Sequence, residues 1–156
     1  MAENQRSYTS TVALIVVVVI AALAITKIVK TSIHSRTSGP TGDMAMLLKH
    51  PFTMMTFADS KGSRDVTANH FEIGFATDKV SGVICNSFSG GYGLSGGMIK
   101  AEQVVSTKKA CEDTIMDVET AFFEGLRSGM RAQFAGSDKV ILTAGDGTSF
   151  VLTAKE

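Results

Sequence analysis

Cys85-Asn86-Ser87-Phe88-Ser89-Gly90-Gly91-Tyr92 and Ser106-Thr107-Lys108-Lys109-Ala110-Cys111 contain the only two cysteines of the chain. Any internal disulfide therefore joins Cys85 to Cys111. It would close a loop of about 25 residues and stabilise the fold by roughly 3 kcal/mol in the chain-entropy account. The other reading is two buried thiols packed as small apolar groups. Spacing alone leaves both open.

Around these stretches the sequence alternates with period two. Phe52, Met54 and Thr56 alternate with Thr53, Met55 and Phe57, and Asp59-Ser60-Lys61-Gly62-Ser63 is a turn signal. Phe71, Ile73 and Phe75 alternate with Glu72 and Gly74, as a half-buried strand does. Further strands are expected over residues 80–85 and 98–105, separated by the glycine-rich run 90–97. Beyond residue 128, Met130, Ala132 and Phe134 alternate, as do Val140 with Leu142 and Phe150 with Leu152. Gly136-Ser137-Asp138 and Gly145-Asp146-Gly147 mark two consecutive hairpins. Seven or eight strands result.

One soluble helix interrupts them, over residues 114–128. Ile115, Val118, Phe122 and Leu126 fall on one face at helical spacing. Thr114 and Asp117 have capping-box spacing, and Gly129 suits the C-terminal cap. A lone helix builds no core, so the sheet must supply the opposing surface.

The order Cys-Asn-x-Phe-Ser-Gly-x-Tyr, Ser-Thr-x-x-Ala-Cys, amphipathic helix and closing hairpins resembles the META domain of the HslJ-like heat-shock-associated envelope proteins. The motif residues are Cys85, Asn86, Phe88, Ser89, Gly90, Tyr92, Ser106, Thr107, Ala110 and Cys111. The resemblance covers residues 70–153. It implies a mainly β (α+β) fold, a small incomplete antiparallel β-barrel with one packed helix, and no catalytic residues or cofactor. It also implies that the two cysteine segments meet, favouring the disulfide, and that the protein works in the envelope, where stress response and antibiotic tolerance are the associated settings. The first strand of relatives usually holds a tryptophan. This chain has none, leaving Phe52 or Phe57 to stand in.

The chain of 156 residues has no net charge, but the charge is unevenly placed. Residues 1–39 carry four basic side chains against Glu3, and the remainder carries eleven basic against fourteen acidic. An acidic folded part argues against nucleic acid as partner, since phosphate contacts need clustered Lys and Arg. Residues 7–26 hold no charge, and twenty helical residues span about 30 Å, a bilayer core. A single N-terminal transmembrane helix is therefore expected, with the membrane as partner through residues 7–26. Cleavage after Ala24, giving a periplasmic or secreted protein, is the alternative. The basic flank with Lys27, Lys30 and Arg36 would place the domain in the cytoplasm. The cysteine pair and the resemblance place it outside a bacterial-type inner membrane, and lysines near a helix end can snorkel to either side. The expected division is an anchor or signal segment over 1–30, a linker over 31–48 and the META-like domain over 49–156. The apolar run 44–48 is expected to dock on that domain.

Candidate chemistry is sparse. Gly91-Tyr92-Gly93-Leu94-Ser95-Gly96 matches G-x-G-x-x-G, which binds a pyrophosphate only where a helix N-terminus follows. Strand-like sequence follows here instead. Ser106-Thr107-Lys108-Lys109 matches S-x-x-K, a serine-acylase pattern that needs both residues on one helical turn. It carries the alternative function, a small envelope hydrolase or acyltransferase. His34, His50 and His70 are scattered, so no metal ligand set is visible. Phe71, Phe75, Phe122, Phe123, Phe134 and Phe150 suit either an ordinary core or a pocket for an apolar ligand inside the barrel. The expected function is a non-catalytic, membrane-anchored envelope module that binds a protein partner or an apolar ligand.

Overall fold

The computed structural model describes residues 40–156, with side chains from residue 45 onward. The apolar span 7–26, the cleavage alternative at Ala24 and the first part of the expected linker lie outside the described residues. Among the described residues no helix is long and apolar enough to cross a membrane.

Helix α1 (Pro40–Lys49) begins on a proline, whose fixed φ suits a first helical position. Leu47 is fully buried in the core while Leu48 stays exposed, so one residue of the apolar run docks on the domain, and the second half of the expected linker is helical. Nine strands follow: β1 (Phe52–Asp59), β2 (Gly62–Asp65), β3 (Glu72–Phe75), β4 (Lys79–Val83), β5 (Ser87–Ser95), β6 (Met98–Ser106), β7 (Met130–Ala135), β8 (Lys139–Ala144) and β9 (Ser149–Ala154). Helix α2 (Asp113–Ser128) connects β6 to β7.

Each strand pairs antiparallel with its neighbour, and β1 also pairs with β9 along six positions from Phe52↔Ala154 to Ala58↔Ser149. The ring β1-β3-β4-β5-β6-β7-β8-β9 therefore closes on itself. The incomplete barrel expected from the resemblance is corrected to a closed barrel of eight strands. Closure satisfies the backbone edges that an open sheet would expose. The ninth strand, β2, pairs only with the far half of β1, beyond the two positions where β1 meets β3. Arg64 on β2 sits 4.8 Å from the Phe57 ring centroid and pairs with Asp59.

One seam is thin. Strands β6 and β7 meet only at Met98↔Arg131 and Ile99↔Met130, extended by the Ala132 N–H donating to Gly97 O. Helix α2 packs against β6 beside this gap and buries Val118, Phe122, Phe123 and Leu126, with Ile115 partly covered. A Cβ on Gly125 would stand 2.7 Å from Met130 Sδ, so glycine lets the helix settle onto the seam. The expected capping box does not form. The helix starts one residue earlier, with Glu112 at the N-cap and no side-chain cap bond. Gly129 does occupy the C-cap, at φ 104°.

The barrel is filled by its own side chains. Phe57 meets Phe150 at 5.4 Å, Phe150 meets Phe122 at 5.2 Å, and Phe122 meets Phe88 at 5.7 Å between ring centroids. Phe52, Phe75 and Tyr92 form a second row of edge-to-face contacts. An eight-stranded barrel is just wide enough for such filling. Phe52 and Phe57 both point inward although their spacing is odd, because Met55 is an extra residue in a β-bulge against β9.

Candidate functional site

The two motif stretches meet at the start of α2. Strand β4 ends at Val83, two residues short of the expected strand end, so Cys85 lies in the bend before β5. It forms the disulfide with Cys111, with Cα atoms 6.0 Å apart. Beside it stands Glu119 of α2, 5 % exposed and paired with no cation among the described residues. Its Oε2 accepts the backbone N–H groups of Cys85 (3.0 Å) and Asn86 (2.6 Å), and its Oε1 accepts Asn86 Nδ2 (2.8 Å). Asn86 Oδ1 accepts Thr107 Oγ1 and the Lys109 N–H, and Nδ2 also donates to Lys109 O. The amide of Asn86 thus uses both ends, and no buried side-chain polar atom among the described residues lacks a partner. Buried polar networks that are fully satisfied fix one arrangement of the chain.

Other motif residues also serve the framework. Phe88 and Tyr92 face inward, and the Tyr92 hydroxyl donates to Ala76 O at 2.9 Å. Burial, helped by the Asp78 charge, raises the Tyr92 pKa. A Cβ on Gly90 would fall 2.2 Å from Gln103 O, so only glycine allows β6 this close. Ser89 pairs with Val105 across β5 and β6. Ala110 lies between Lys109 and Cys111 in the segment leading to α2.

The two weak catalytic patterns do not acquire their geometry. Ser106 is the last residue of β6, and Lys109 follows in irregular chain before α2, so S-x-x-K spans no helical turn. Gly91 to Ser95 runs inside β5, Gly96 and Gly97 form the turn, and β6 follows where a pyrophosphate loop needs a helix. His70 ends a short 3-10 turn at φ 53°, exposed. Among the described residues no group of three or more His, Cys, Asp or Glu could hold a metal ion.

Two hollows line the outer surface of the described residues. One, of about 760 Å³, is a cleft between the C-terminal half of α2 and the outer face of β7 and β8. Glu124, Ser128, Arg131, Gln133, Thr143 and Asp146 supply its polar lining. A second, of about 720 Å³, follows the glycine-rich part of β5, between Asp78 on one side and Lys100 and Glu102 on the other. Asp146 Oδ1 and Oδ2 accept the Thr148 N–H and hydroxyl, which hold its carboxyl below the usual range. Asp65 is lowered by Thr67 and Glu72 by Lys155, both at exposed positions.

Sequence reasoning missed Glu119 and the α2 cleft. Glu119 had a signal: it lies four residues after Ile115, three before Phe122 and four before Phe123, on the apolar stripe itself. The cleft had none, since Glu124 and Arg131 lie on different elements and nothing in the local sequence pattern sets them across one space.

An up-and-down barrel of eight strands is the class that includes the lipocalins. Solved structures agree at the level of fold. An NMR structure of a protein from Burkholderia xenovorans is similar at a TM-score of 0.60 and 18% identity, covering 75% of this chain and 88% of that one. A lipocalin-like protein from Bacteroides uniformis is similar at 0.50 and 16% identity, covering 69% and 98%. A DUF4847-family protein from Bacteroides vulgatus is similar at 0.51 and 14% identity, covering 71% and 96%. No curated protein matches. Residues 45–156 match the META domain, and the chain belongs to that family.

Proposed function

We propose that the chain is a membrane-anchored, non-catalytic binding module of the cell envelope, held by residues 7–26 with its barrel on the extracytoplasmic side. The observation that supports binding on the outer surface is the filled interior: Phe57, Phe122 and Phe150 are at most 1 % exposed and stack on one another where a lipocalin keeps its ligand. This favours a partner on the outside over an apolar ligand inside. The disulfide favours an oxidising compartment. The motif residues Asn86 and Thr107 support a non-catalytic reading because their side-chain polar atoms are engaged in the clamp with Glu119 and Lys109. The envelope stress or antibiotic-tolerance setting rests on the resemblance to the HslJ-like proteins.

Chemical cross-linking of the full chain in native membranes, followed by capture from detergent extract, tests the reading. A specific envelope protein or small ligand recovered with the chain is the expected result. An intact mass beginning at Ile25 would remove the anchor. Serine-probe labelling that disappears in Ser106→Ala with the fold intact would replace binding by acyl-transfer chemistry.

A further inference from the structure

The cleft beside α2 has two charged side chains that the fold does not use. Arg131 is the only cation lining it among the described residues, and its guanidinium makes no ion pair or side-chain hydrogen bond with any of them. Strand pairing sets it between Met98 on β6 and Thr143 on β8, with Gln133 further along the same face of β7. Glu124 stands on the helix wall, and its side chain also bonds to none of the described residues. Asp146, the other acid, is committed to Thr148. One open cation on the sheet wall thus faces the same space as one open anion on the helix wall, and the two do not pair.

We infer that this cleft binds a small zwitterion, a free amino acid or short peptide, with its carboxylate on Arg131 and its ammonium group on Glu124. The reading rests on the binding-module proposal and names its ligand class. The volume of about 760 Å³ falls within the range of small-ligand sites. The planar guanidinium fork matches a carboxylate and forms charge-assisted bonds roughly twice as strong as neutral ones. The C-terminal end of α2 reaches the cleft at Ser128 and Gly129, and the negative end of the helix dipole adds to the attraction for an ammonium group. Polyanions are disfavoured, since a single arginine shares the cleft with two carboxylates. Gly145 at the rim has no structural need to be glycine: its φ is not positive, and an added Cβ meets nothing within 4 Å. A bulkier residue there is expected to narrow the cleft that Gly145 lines.

The inference is tested by NMR titration of the isotope-labelled full chain in detergent micelles. Dialanine is the zwitterionic probe; N-acetylalanine lacks the ammonium group, and alaninamide lacks the carboxylate. Saturable shifts at Arg131, Thr143 and Gly145 are expected with dialanine. Arg131→Gln should weaken dialanine by about tenfold, the loss of one charge-assisted contact. Glu124→Gln should weaken dialanine but not N-acetylalanine, and Gly145→Leu should block both while Phe88 and Tyr92 signals stay in place. No saturable shift, equal binding in Arg131→Gln, or equal binding of all three probes overturns the inference. If the partner captured from membranes also binds Arg131→Gln and Gly145→Leu undiminished, the cleft assignment falls while the binding-module reading stands.

Discussion

The two halves of α2 are treated in opposite ways. In the first half a buried carboxylate, Glu119, accepts three hydrogen bonds, and a disulfide closes the same junction. In the second half the side chain of Glu124 and that of Arg131 on β7 make no ion pair or hydrogen bond with the described residues and share an open cleft. The first arrangement holds the helix in place, and the second leaves binding capacity beside it. Motif residues therefore point toward the scaffold of this domain, while its chemistry lies where the motif is silent.

Phe122 is the pivot both halves share, fully buried between Phe88 and Phe150. Phe122→Ala should cost about 3–5 kcal/mol, measured by chemical denaturation. A loss below about 1 kcal/mol would mean that the seam does not depend on the helix.

Glu119→Ala comes next and probes the first half directly. It leaves the Cys85 and Asn86 N–H groups and the Asn86 amide without their acceptor. The cost should be about 2–4 kcal/mol, since orphaned buried donors keep their full desolvation penalty. Cys111→Ser should cost somewhat less, about 2–3 kcal/mol. Glu119 and Asn86 still hold the junction in that variant, so the barrel should remain folded. A double-mutant cycle with Glu119→Ala measures how far bridge and network support one another. Strict additivity would show two independent devices and weaken the picture of one clamp.

Much of the first half is legible in the sequence and little of the second. The face Val118, Phe122 and Leu126 follows from spacing alone and is buried. The hairpins around Gly136 and Gly147 follow from turn chemistry, and both glycines have positive φ. Period-two counting puts Phe52 and Phe57 on opposite faces, because nothing local announces a bulge at Met55. Closure depends on β1 meeting β9 across nearly the whole domain, a pairing that no short-range pattern encodes. The capping box at Thr114 fails because Glu112 becomes the N-cap and shifts the first turn. The place of Glu119 on the apolar stripe signals burial, but its partners lie 33 and 34 residues away in sequence, so no local pattern names them.

Acid titration draws a smaller distinction within the cleft itself. The bonds from Thr148 to Asp146 set its folded-state pKa below the unfolded value. The stability it contributes is complete above the ordinary carboxylate range and is lost as pH falls through the lowered folded value. Urea midpoints between about pH 5 and about pH 2 should therefore fall less steeply in Asp146→Asn than in the parent chain. Identical slopes would show that this turn adds nothing to stability.

The smallest expected effect separates the two halves most sharply. Arg131→Gln and Glu124→Gln should each change stability by less than about 0.5 kcal/mol, the usual range for surface positions without a structural partner. The reason is specific to these sites: both side chains line the open cleft, and neither makes an ion pair or hydrogen bond with the described residues that folding would lose. Paired denaturation curves with Glu119→Ala give the comparison on one scale. If Arg131→Gln instead destabilised the domain by more than about 1 kcal/mol, the arginine would belong to the scaffold, and the contrast between the two ends of α2 would disappear. If it left stability unchanged and also weakened dialanine binding, the halves would differ in what their charges do, with Glu119 holding the helix and Arg131 kept for a ligand.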